Sequence, residues 1–224
     1  MPKRALIMVA GGTGTRMQSA LPKQFIPLEG KPVILHSFDA FKAFDPDMEF
    51  VLVLFKGLEN AWREILETHN YQLNHTVVEG GEERFHSVKN GLKAVSDSAD
   101  VIAIHDAVRP LVSQDTIARC FEGALEKGSA IPSIPVLDTI RRTTSRGNFT
   151  IPRHELEAVQ TPQCFKAELI KQAYNTAYRE SFTDDASVLE ASGSEIHRVS
   201  GNRTNIKITT QEDLLIAKAF LSLR

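Results

Sequence analysis

Residues 5–17 read Ala5-Leu6-Ile7-Met8-Val9-Ala10-Gly11-Gly12-Thr13-Gly14-Thr15-Arg16-Met17, an unbroken apolar run that leads into a glycine-rich loop. A run with apolar residues on both faces is typical of a strand sandwiched between layers of helices. Three glycines in four residues let backbone N–H groups turn inward and approach a phosphate closely. We therefore expect a buried strand with an anion-binding loop at its carboxyl end.

Apolar runs and helical periods alternate along the rest of the chain. Further runs lie at 50–55, 76–78, 101–104 and 130–136. Pro132 and Pro135 in the last run indicate an edge strand or an irregular exit. Helices are predicted from about Pro32 to Phe44, over 114–127, and after a capping box formed by Thr209 and Glu212. The alternation predicts one three-layer α/β domain over residues 1–224, with a mostly parallel sheet that binds ligands at the carboxyl ends of its strands.

Composition and charge limit the classes of protein. The 224 residues are 42% hydrophobic and 24% charged, which is ordinary for a globular protein and gives no support to a disordered or coiled-coil chain. Net charge is 26 − 28 = −2. A nucleic-acid partner is not expected, because it needs a strongly basic face. A pocket with a few cations for a small anion remains compatible with this balance.

Cysteine content and hydropathy point to the cytoplasm. Cys120 and Cys164 cannot make a disulfide framework, and two thiols far apart in sequence suit a reducing compartment. No stretch approaches the roughly 18 apolar residues that span a bilayer. The apolar run near the start ends at Gly11, which is too short for a signal peptide. We expect a cytoplasmic globular protein with no membrane partner.

Residues 137–160 differ in character from the rest of the chain. Alternating residues flank a Ser145-Arg146-Gly147-Asn148 turn, which is typical of a β-hairpin. The segment is too polar to be core. Two interpretations stay open: a solvated surface hairpin, or an arm that packs on another subunit.

The loop after the first strand lacks two familiar phosphate-binding motifs. It does not end in the Gly-Lys-Ser/Thr of a P-loop, and Met17 stands where a dinucleotide fingerprint needs its third glycine. Arg16 and the following Pro22-Lys23-Gln24 instead place two cations beside the glycines. Such a loop fits a triphosphate, whose charge must be offset when it leaves water. The alternative is a tight turn with two solvated cations.

A second candidate site follows the run at 76–78. Gly80-Gly81-Glu82 and a helix that carries Ser87 offer backbone groups and a hydroxyl to the edge of a base. Taken alone, this segment fits an ordinary helix start with acidic residues better than a binding site.

A third candidate site follows the run at 101–104. Asp106 is well placed to hold Mg²⁺ directly or through water, and Arg109 to face a second anionic substrate. His105 is better explained as a hydrogen-bonded core histidine, and no pair of histidines has the spacing of zinc ligands. Lys207 lies in a strand-like stretch, where a lysine usually faces solvent. It becomes a site residue only if that stretch lies beside the first loop.

Short motifs follow one another along nearly the whole chain. They are Gly12-x-Gly14-x-Arg16-Met17, Pro22-Lys23-Gln24, Gly80-Gly81-x-x-Arg84-x-x-Ser87-Val88, His105-Asp106-Ala107-x-Arg109-Pro110, Thr161-Pro162-Gln163, Thr183-Asp184-x-Ala186-Ser187 and Asn205-Ile206-Lys207. In this order, from about residue 5 to 220, they resemble the 2-C-methyl-D-erythritol 4-phosphate cytidylyltransferases. Each motif is modest, but the ordered set is highly specific.

The resemblance implies a Rossmann-like nucleotidyltransferase domain with a protruding β-hairpin arm at about 137–160. It implies transfer of CMP from CTP to 2-C-methyl-D-erythritol 4-phosphate, with Mg²⁺ or another divalent cation, in the non-mevalonate isoprenoid pathway. By the family pattern the arm of one subunit enters the active site of its partner. The resemblance therefore implies a homodimer with shared sites.

The family pattern also implies roles for individual residues. Arg16 and Lys23 would stabilise the transition state, while Arg153 and Lys207 would position the acceptor. The implied CTP-binding residues are Ala10, Gly11, Gly12, Gly14, Gly80, Gly81, Glu82, Ser87, Asp106 and Ala107. The implied acceptor-binding residues are Arg109, Thr139, Arg153, Thr161, Thr183 and Lys207. Asp106 would also lie at the metal, directly or through water.

Two alternatives stay open beside this family. Val108 stands where the family often has alanine, and Glu82 where it often has aspartate. With Val108, the segment 105–110 also resembles the related ribitol 5-phosphate cytidylyltransferases. The other alternative is a non-catalytic nucleotide-sensing module, against which the retention of the charged site residues speaks.

Overall fold

The computed structural model describes residues 2–11 and 21–223. Its helices are α1 Val33–Phe44, α2 Glu59–Thr68, α3 Arg84–Ala94, α4 Gln114–Lys127, α5 Ala167–Ala173, α6 Asp185–Glu190 and α7 Gln211–Leu221. Its strands are β1 Arg4–Ala10, β2 Pro27–Leu28, β3 Lys31–Pro32, β4 Glu49–Leu54, β5 Thr76–Glu79, β6 Val101–Asp106, β7 Ser129–Pro135, β8 Ile140–Thr144, β9 Gly147–Ile151, β10 Glu157–Val159, β11 Gln163–Lys166 and β12 Arg198–Ser200. None of the helices in this part of the chain is long and apolar enough to cross a bilayer.

Strand β1 lies inside an eight-stranded sheet, and both of its neighbours run parallel to it. The order is β10-β7-β11-β6-β1-β4-β5, with β12 beside β7. The strands β6, β1, β4 and β5 pair parallel to one another. Strand β11 pairs antiparallel with both β6 and β7, and β10 pairs antiparallel with β7. The predicted α/β fold with a mostly parallel central sheet is confirmed.

Both faces of β1 are buried because a layer of helices covers each of them. Leu6 and Met8 pack in a cluster that includes Phe38 of α1 and residues of α4. Ile7 packs in a second cluster, with Val88 of α3 and residues of α5. Successive side chains of a strand point to opposite faces, so one apolar run serves both layers.

The parallel strands bring their carboxyl ends to one edge of the sheet. Val9 of β1 pairs with Asp106 of β6, and the N–H of Ala107 donates to the carbonyl of Val9 at 3.0 Å. Beyond β5, the N–H of Gly80 donates to the carbonyl of Leu54 at 2.7 Å. The segments after β1, β5 and β6 therefore leave the sheet side by side, as the sequence predicts.

Strand β7 is an interior strand, so the expectation of an edge is wrong. It pairs with β11 at Ser129–Ala130 and with β10 at Ser133–Pro135, while β12 covers its other side. Pro132 lies between these two blocks of pairing, where the chain passes from one partner strand to the next. The other expectation, an irregular exit, holds, since 136–139 have no regular structure after Pro135.

The cap of the C-terminal helix lies one residue beyond the predicted position. Thr210, not Thr209, is the N-cap of α7, and its hydroxyl accepts the N–H of Asp213 at 3.3 Å. The Asp213 carboxylate in turn accepts the N–H of Thr210 at 2.9 Å. The box predicted from Thr209 and Glu212 is wrong, because an aspartate at the third position completes it instead of a glutamate.

The predicted hairpin is present within 137–160. Strands β8 and β9 pair antiparallel, with Ile140 opposite Ile151 and Thr144 opposite Gly147. Gly147 has φ of +124°, a conformation that favours glycine. The hairpin forms a two-stranded sheet of its own, and its residues are mostly exposed. The chain then returns to the main sheet through β10.

Candidate active site

A cavity of about 350 Å³ opens at the carboxyl edge of the sheet. Its wall contains predicted site residues from five separate parts of the chain: Ala10, Gly11, Lys23, Gly81, Glu82, Ser87, Asp106, Ala107 and Lys207. The fold thus brings together two glycines, two lysines and two carboxylates from segments that are distant in sequence. This edge is where open α/β sheets bind ligands.

Lys23 reaches this cavity from a short 3₁₀ turn, Lys23–Phe25. Gln24 is buried, and its side-chain amide donates to the carbonyl of Ala10 at 3.1 Å. The ring of Phe25 stacks on Trp62, with 6.4 Å between ring centroids. The hydrogen bond ties the turn to the end of β1 and the ring contact ties it to α2, and together they place Lys23 at the cavity.

Asp106 at the end of β6 is surrounded by cations. Its Oδ2 lies 3.1 Å from Nζ of Lys207 and 3.2 Å from Nε of Arg109, and its Oδ1 lies 4.0 Å from Nε of Arg84. Burial raises the pKa of the Asp106 carboxyl, but the charges of Arg84, Lys207 and Arg109 outweigh burial and hold that pKa well below its ordinary range. Asp106 is therefore ionised at neutral pH, in surroundings where positive charge predominates.

Lys207 lines the same cavity as Ala10 and Gly11, where the first loop begins, although the strand predicted around Lys207 is absent. Residues 205–209 have no regular secondary structure. The N–H of Ile208 donates to the carbonyl of Val108 at 2.9 Å, and the side-chain amide of the buried Asn205 donates to the carbonyl of Thr161 at 2.8 Å. Arg109 donates to the carbonyl of Asn205 at 2.9 Å. These contacts fix an irregular segment so that Lys207 meets Asp106.

The paired glycines bring helix α3 close to the first loop. The Gly81 N–H donates to Oγ of Ser87 at 3.0 Å. A Cβ on Gly81 would lie 2.3 Å from Cβ of His86, and one on Gly80 would lie 3.1 Å from Oγ of Ser87. Only glycine fits at Gly81 without movement of the helix backbone.

Six of the predicted site residues that the structure describes do not line the cavity. Gly12, Gly14 and Arg16 lie outside the described residues, and Gly80, Arg109 and Thr161 stand behind the wall, in contact with residues that form it. Thr139, Arg153 and Thr183 are exposed and are not in the wall. Arg153 donates to the carbonyl of Leu137 at 2.7 Å within the hairpin segment.

His105 is the hydrogen-bonded core histidine that its position predicts. Its Nε2 faces the carbonyl of Arg109 at 3.1 Å, and its Nδ1 lies 3.0 Å from Oγ1 of Thr161. A carbonyl only accepts, so Nε2 carries the proton and Nδ1 accepts from Thr161. Oγ1 of Thr161 in turn accepts the N–H of Asp106 at 3.1 Å. The neutral imidazole thus helps to fix the backbone at Asp106.

Acid should destabilise the fold through His105. Burial lowers the pKa of His105 to about 4, from 6.5 in the unfolded chain. The unfolded chain therefore binds the proton more readily between these values, and stability falls as pH drops through this window. We expect a loss of about 3 kcal/mol in the free energy of unfolding between pH 7 and 4 from this group. Denaturant unfolding at stepped pH measures it.

The variant His105→Gln is expected to flatten this slope, because an amide keeps hydrogen-bonding groups but does not titrate. His69→Gln, which replaces an exposed histidine, is the matched control and should keep the wild-type slope. An unchanged slope in His105→Gln would show that another group causes the acid loss.

Arg84 also lines the cavity, although motif spacing alone predicts no role for it. Its guanidinium donates to both oxygens of Asp185, at 2.8 and 2.6 Å. Arg84 is a fixed position of the motif that begins at Gly80, whereas Asp185 is the variable position of the motif that begins at Thr183. Their pairing across 101 positions becomes visible only in the folded chain.

Comparison with known proteins agrees with this geometry. The family model IspD, 2-C-methyl-D-erythritol 4-phosphate cytidylyltransferase, matches residues 4–223. The chain belongs to the IspD family. An IspD relative from Bacteroides fragilis, named as that enzyme, is 50% identical over 218 residues, which cover 97% of this chain and 99% of the relative. One from Bacillus pumilus is 40% identical over 220 residues, 96% of each chain.

Solved structures of IspD proteins share the fold. The 4-diphosphocytidyl-2C-methyl-D-erythritol synthase of Anaerococcus prevotii superposes with a TM-score of 0.84 at 29% identity, over 99% of this chain and 96% of that one. The 2-C-methyl-D-erythritol 4-phosphate cytidylyltransferase of Thermus thermophilus superposes with a TM-score of 0.79 at 29% identity, over 99% of this chain and 100% of that one. The resemblance drawn from the ordered motifs is confirmed.

Proposed function

We propose that this chain transfers CMP from CTP to 2-C-methyl-D-erythritol 4-phosphate, giving 4-diphosphocytidyl-2-C-methyl-D-erythritol and pyrophosphate in the isoprenoid pathway. One observation carries the proposal. In a member of the IspD family, Lys23, Lys207 and Asp106 meet at one cavity at the carboxyl end of β1. The relatives described above are named for 2-C-methyl-D-erythritol 4-phosphate and not for the alternative acceptor, ribitol 5-phosphate.

The chemistry needs positive charge rather than a base. The second pKa of a phosphate monoester is near 6, so the acceptor phosphate is largely dianionic at pH 7 and already a nucleophile. One of its oxygens attacks the α-phosphorus of CTP, the bond from that phosphorus to the bridging oxygen breaks, and pyrophosphate leaves with the electron pair. Repulsion between the two anions opposes the reaction, and the attacking oxygen must also be aligned with the α-phosphorus.

Lysine side chains at the cavity meet this need. We assign Lys23, together with Arg16, to the charge that develops on the phosphates during transfer. Lys207 is assigned to the acceptor phosphate, aided by Arg109 beside it. Support comes from the position of Lys23 and Lys207 in the same wall, and from the contact of Arg109 with Asp106 at 3.2 Å.

The glycine-rich wall suits the nucleoside. We assign the cytosine and ribose to Gly80-Gly81-Glu82, Ser87 and Ala107, and the phosphates of CTP to the Ala10-to-Gly14 loop. The close approach of Gly81 to α3 leaves backbone groups of this loop beside the cavity, where a base edge can be read by hydrogen bonds. Thr161 and Thr183 are assigned to the acceptor.

Asp106 suits a divalent cation that arrives with the triphosphate. Among residues 2–11 and 21–223, no three His, Cys, Asp or Glu side chains form a metal cluster. Mg²⁺ is often held by one or two carboxylates together with substrate phosphates, and the ionised Asp106 offers one, directly or through water. When bound, such an ion offsets negative charge on the triphosphate.

The hairpin arm suits a shared active site. Thr139 and Arg153 are exposed on a segment that forms its own small sheet, outside the cavity of their own chain. We infer a homodimer in which these two residues reach the cavity of the partner subunit. The free, buried Cys120 and Cys164 further support a reducing, cytoplasmic location.

The proposed function is tested by release of pyrophosphate from CTP with two acceptors in parallel. We expect rapid release with 2-C-methyl-D-erythritol 4-phosphate and little with ribitol 5-phosphate. Preference for ribitol 5-phosphate would overturn the acceptor, and CTP binding without any release would indicate a nucleotide-sensing module.

A further inference from the structure

An ion pair at the edge of the cavity, between the partly exposed Arg84 and the buried Asp185, has no part in the reaction as described above. Asp185 is fully buried, with 0% exposure, and does not line the cavity. Its carboxylate receives both terminal nitrogens of Arg84, at 2.8 and 2.6 Å, and the hydroxyl of Tyr174 at 2.7 Å. Because Asp185 binds both terminal nitrogens of the guanidinium from a buried position, it is an anchor for Arg84.

The anchored guanidinium faces Asp106 with its third nitrogen. Nε of Arg84 lies 4.0 Å from Oδ1 of Asp106, too far for a hydrogen bond. The other carboxylate oxygen of Asp106 already contacts Lys207 and Arg109. Of these three cations, Arg84 is the one that faces Oδ1, and it does so without a hydrogen bond.

A free arginine at this place would close on Asp106. Arginine forms strong bidentate pairs with carboxylates, and the side chain of Arg84 is already part of the cavity wall. Its closure would cover Oδ1 and move a bulky group into the space beside Ser87 and Gly81. Because Asp185 occupies both terminal nitrogens, this closure is blocked in the native arrangement.

We infer that Asp185 is a positioning residue: it holds Arg84 against the cavity wall and so keeps Asp106 and the nucleotide space open. The inference rests on the proposed function for the identity of the nucleotide. Arg84 is the first residue of α3 and Asp185 is the first residue of α6, and the fold brings these two helix ends together.

The test is CTP affinity in Asp185→Asn, measured by calorimetry without acceptor. Each oxygen of Asp185 accepts from Arg84, so an amide nitrogen at either position faces a guanidinium N–H and breaks the bidentate pair. We expect CTP to bind about tenfold more weakly, within the range of coupling in one ion-pair network, while kcat at saturating CTP stays within about threefold. A crystal structure of the variant should show Arg84 on Asp106.

Two further variants separate positioning from general stability. Tyr174→Phe removes one donor to Asp185 but leaves both Arg84 contacts, so CTP affinity should match wild type even if the melting temperature falls. In an Arg84→Met background, Asp185→Asn should change CTP affinity by about twofold or less, because there is no guanidinium to release. Should Asp185→Asn not fold, Asp185→Ser replaces it with the same expectation.

Three outcomes would overturn the inference. They are wild-type CTP affinity in the variant, tighter binding caused by the lost negative charge, or an Arg84 that still lies on residue 185 in the variant crystal structure. Failure of the proposed function is distinguishable, because then the wild-type chain itself would not bind CTP, and the crystal structure of the variant would still test the position of Arg84.

Discussion

Replacing Lys23 by alanine is expected to lower kcat for pyrophosphate release by about a hundredfold or more, which is the scale of losing one preorganised charge contact. Lys23 lines the cavity from a turn tied to β1, so its ammonium is already in place when the triphosphate binds. The charge on the phosphates grows in the transition state, so losing its stabilisation there lowers kcat. Steady-state kinetics at saturating CTP and acceptor measures the effect.

The matched control is Lys127→Ala, which removes an exposed lysine at the end of α4, away from the cavity wall. This control should keep wild-type kcat. The same loss as for Lys23→Ala is expected for Arg16→Ala. Near-normal turnover in Lys23→Ala, with the control intact, would refute the role assigned to this lysine.

Arg153→Ala is expected to reduce activity by a similar factor, although Arg153 lies on the hairpin and outside its own chain's cavity. If the arm serves the partner, a mixed dimer of one Arg153→Ala subunit and one Lys23→Ala subunit regains activity. One of its two sites then combines an intact Lys23 with an intact Arg153 from the other subunit. Tandem affinity tags isolate the mixed dimer for assay.

The control for this experiment places both substitutions on one subunit beside a wild-type partner. With shared sites, each cavity lacks either Lys23 or Arg153, and the dimer is inactive. With independent sites, the wild-type subunit stays active. An inactive dimer of the two single variants, together with an active dimer in the control, would contradict sharing.

The fold could be predicted where one local pattern determines one element. The apolar run of β1 requires burial on both faces, and the loop after it must follow the carboxyl end of the strand. The same reasoning found β4, β6 and the hairpin. It failed at β7, because proline restricts local pairing but does not say which strands lie on either side. It also misplaced the cap of α7 by one residue, since Thr209 and Thr210 are both competent caps.

The candidate site could be predicted only in part. Asp106 stands at a strand end, where position alone indicates a role. The glycines at 80–81, taken alone, fit an ordinary helix start, and only the family resemblance implies a role for them. Lys207 could not be placed by local pattern, because side-chain hydrogen bonds from Asn205 and backbone contacts to Val108, not a strand, fix its segment. The Arg84–Asp185 pair joins two motifs 101 residues apart, and only tertiary structure reveals such a contact.

A crystal structure of the chain with CTP tests the central claim most directly. We predict the triphosphate beside Lys23 and Arg16, at hydrogen-bonding distances of about 2.7–3.2 Å, and cytosine against Gly81 and Ser87. A nucleotide bound elsewhere, with Lys23 and Lys207 both turned away from its phosphates, would contradict the account.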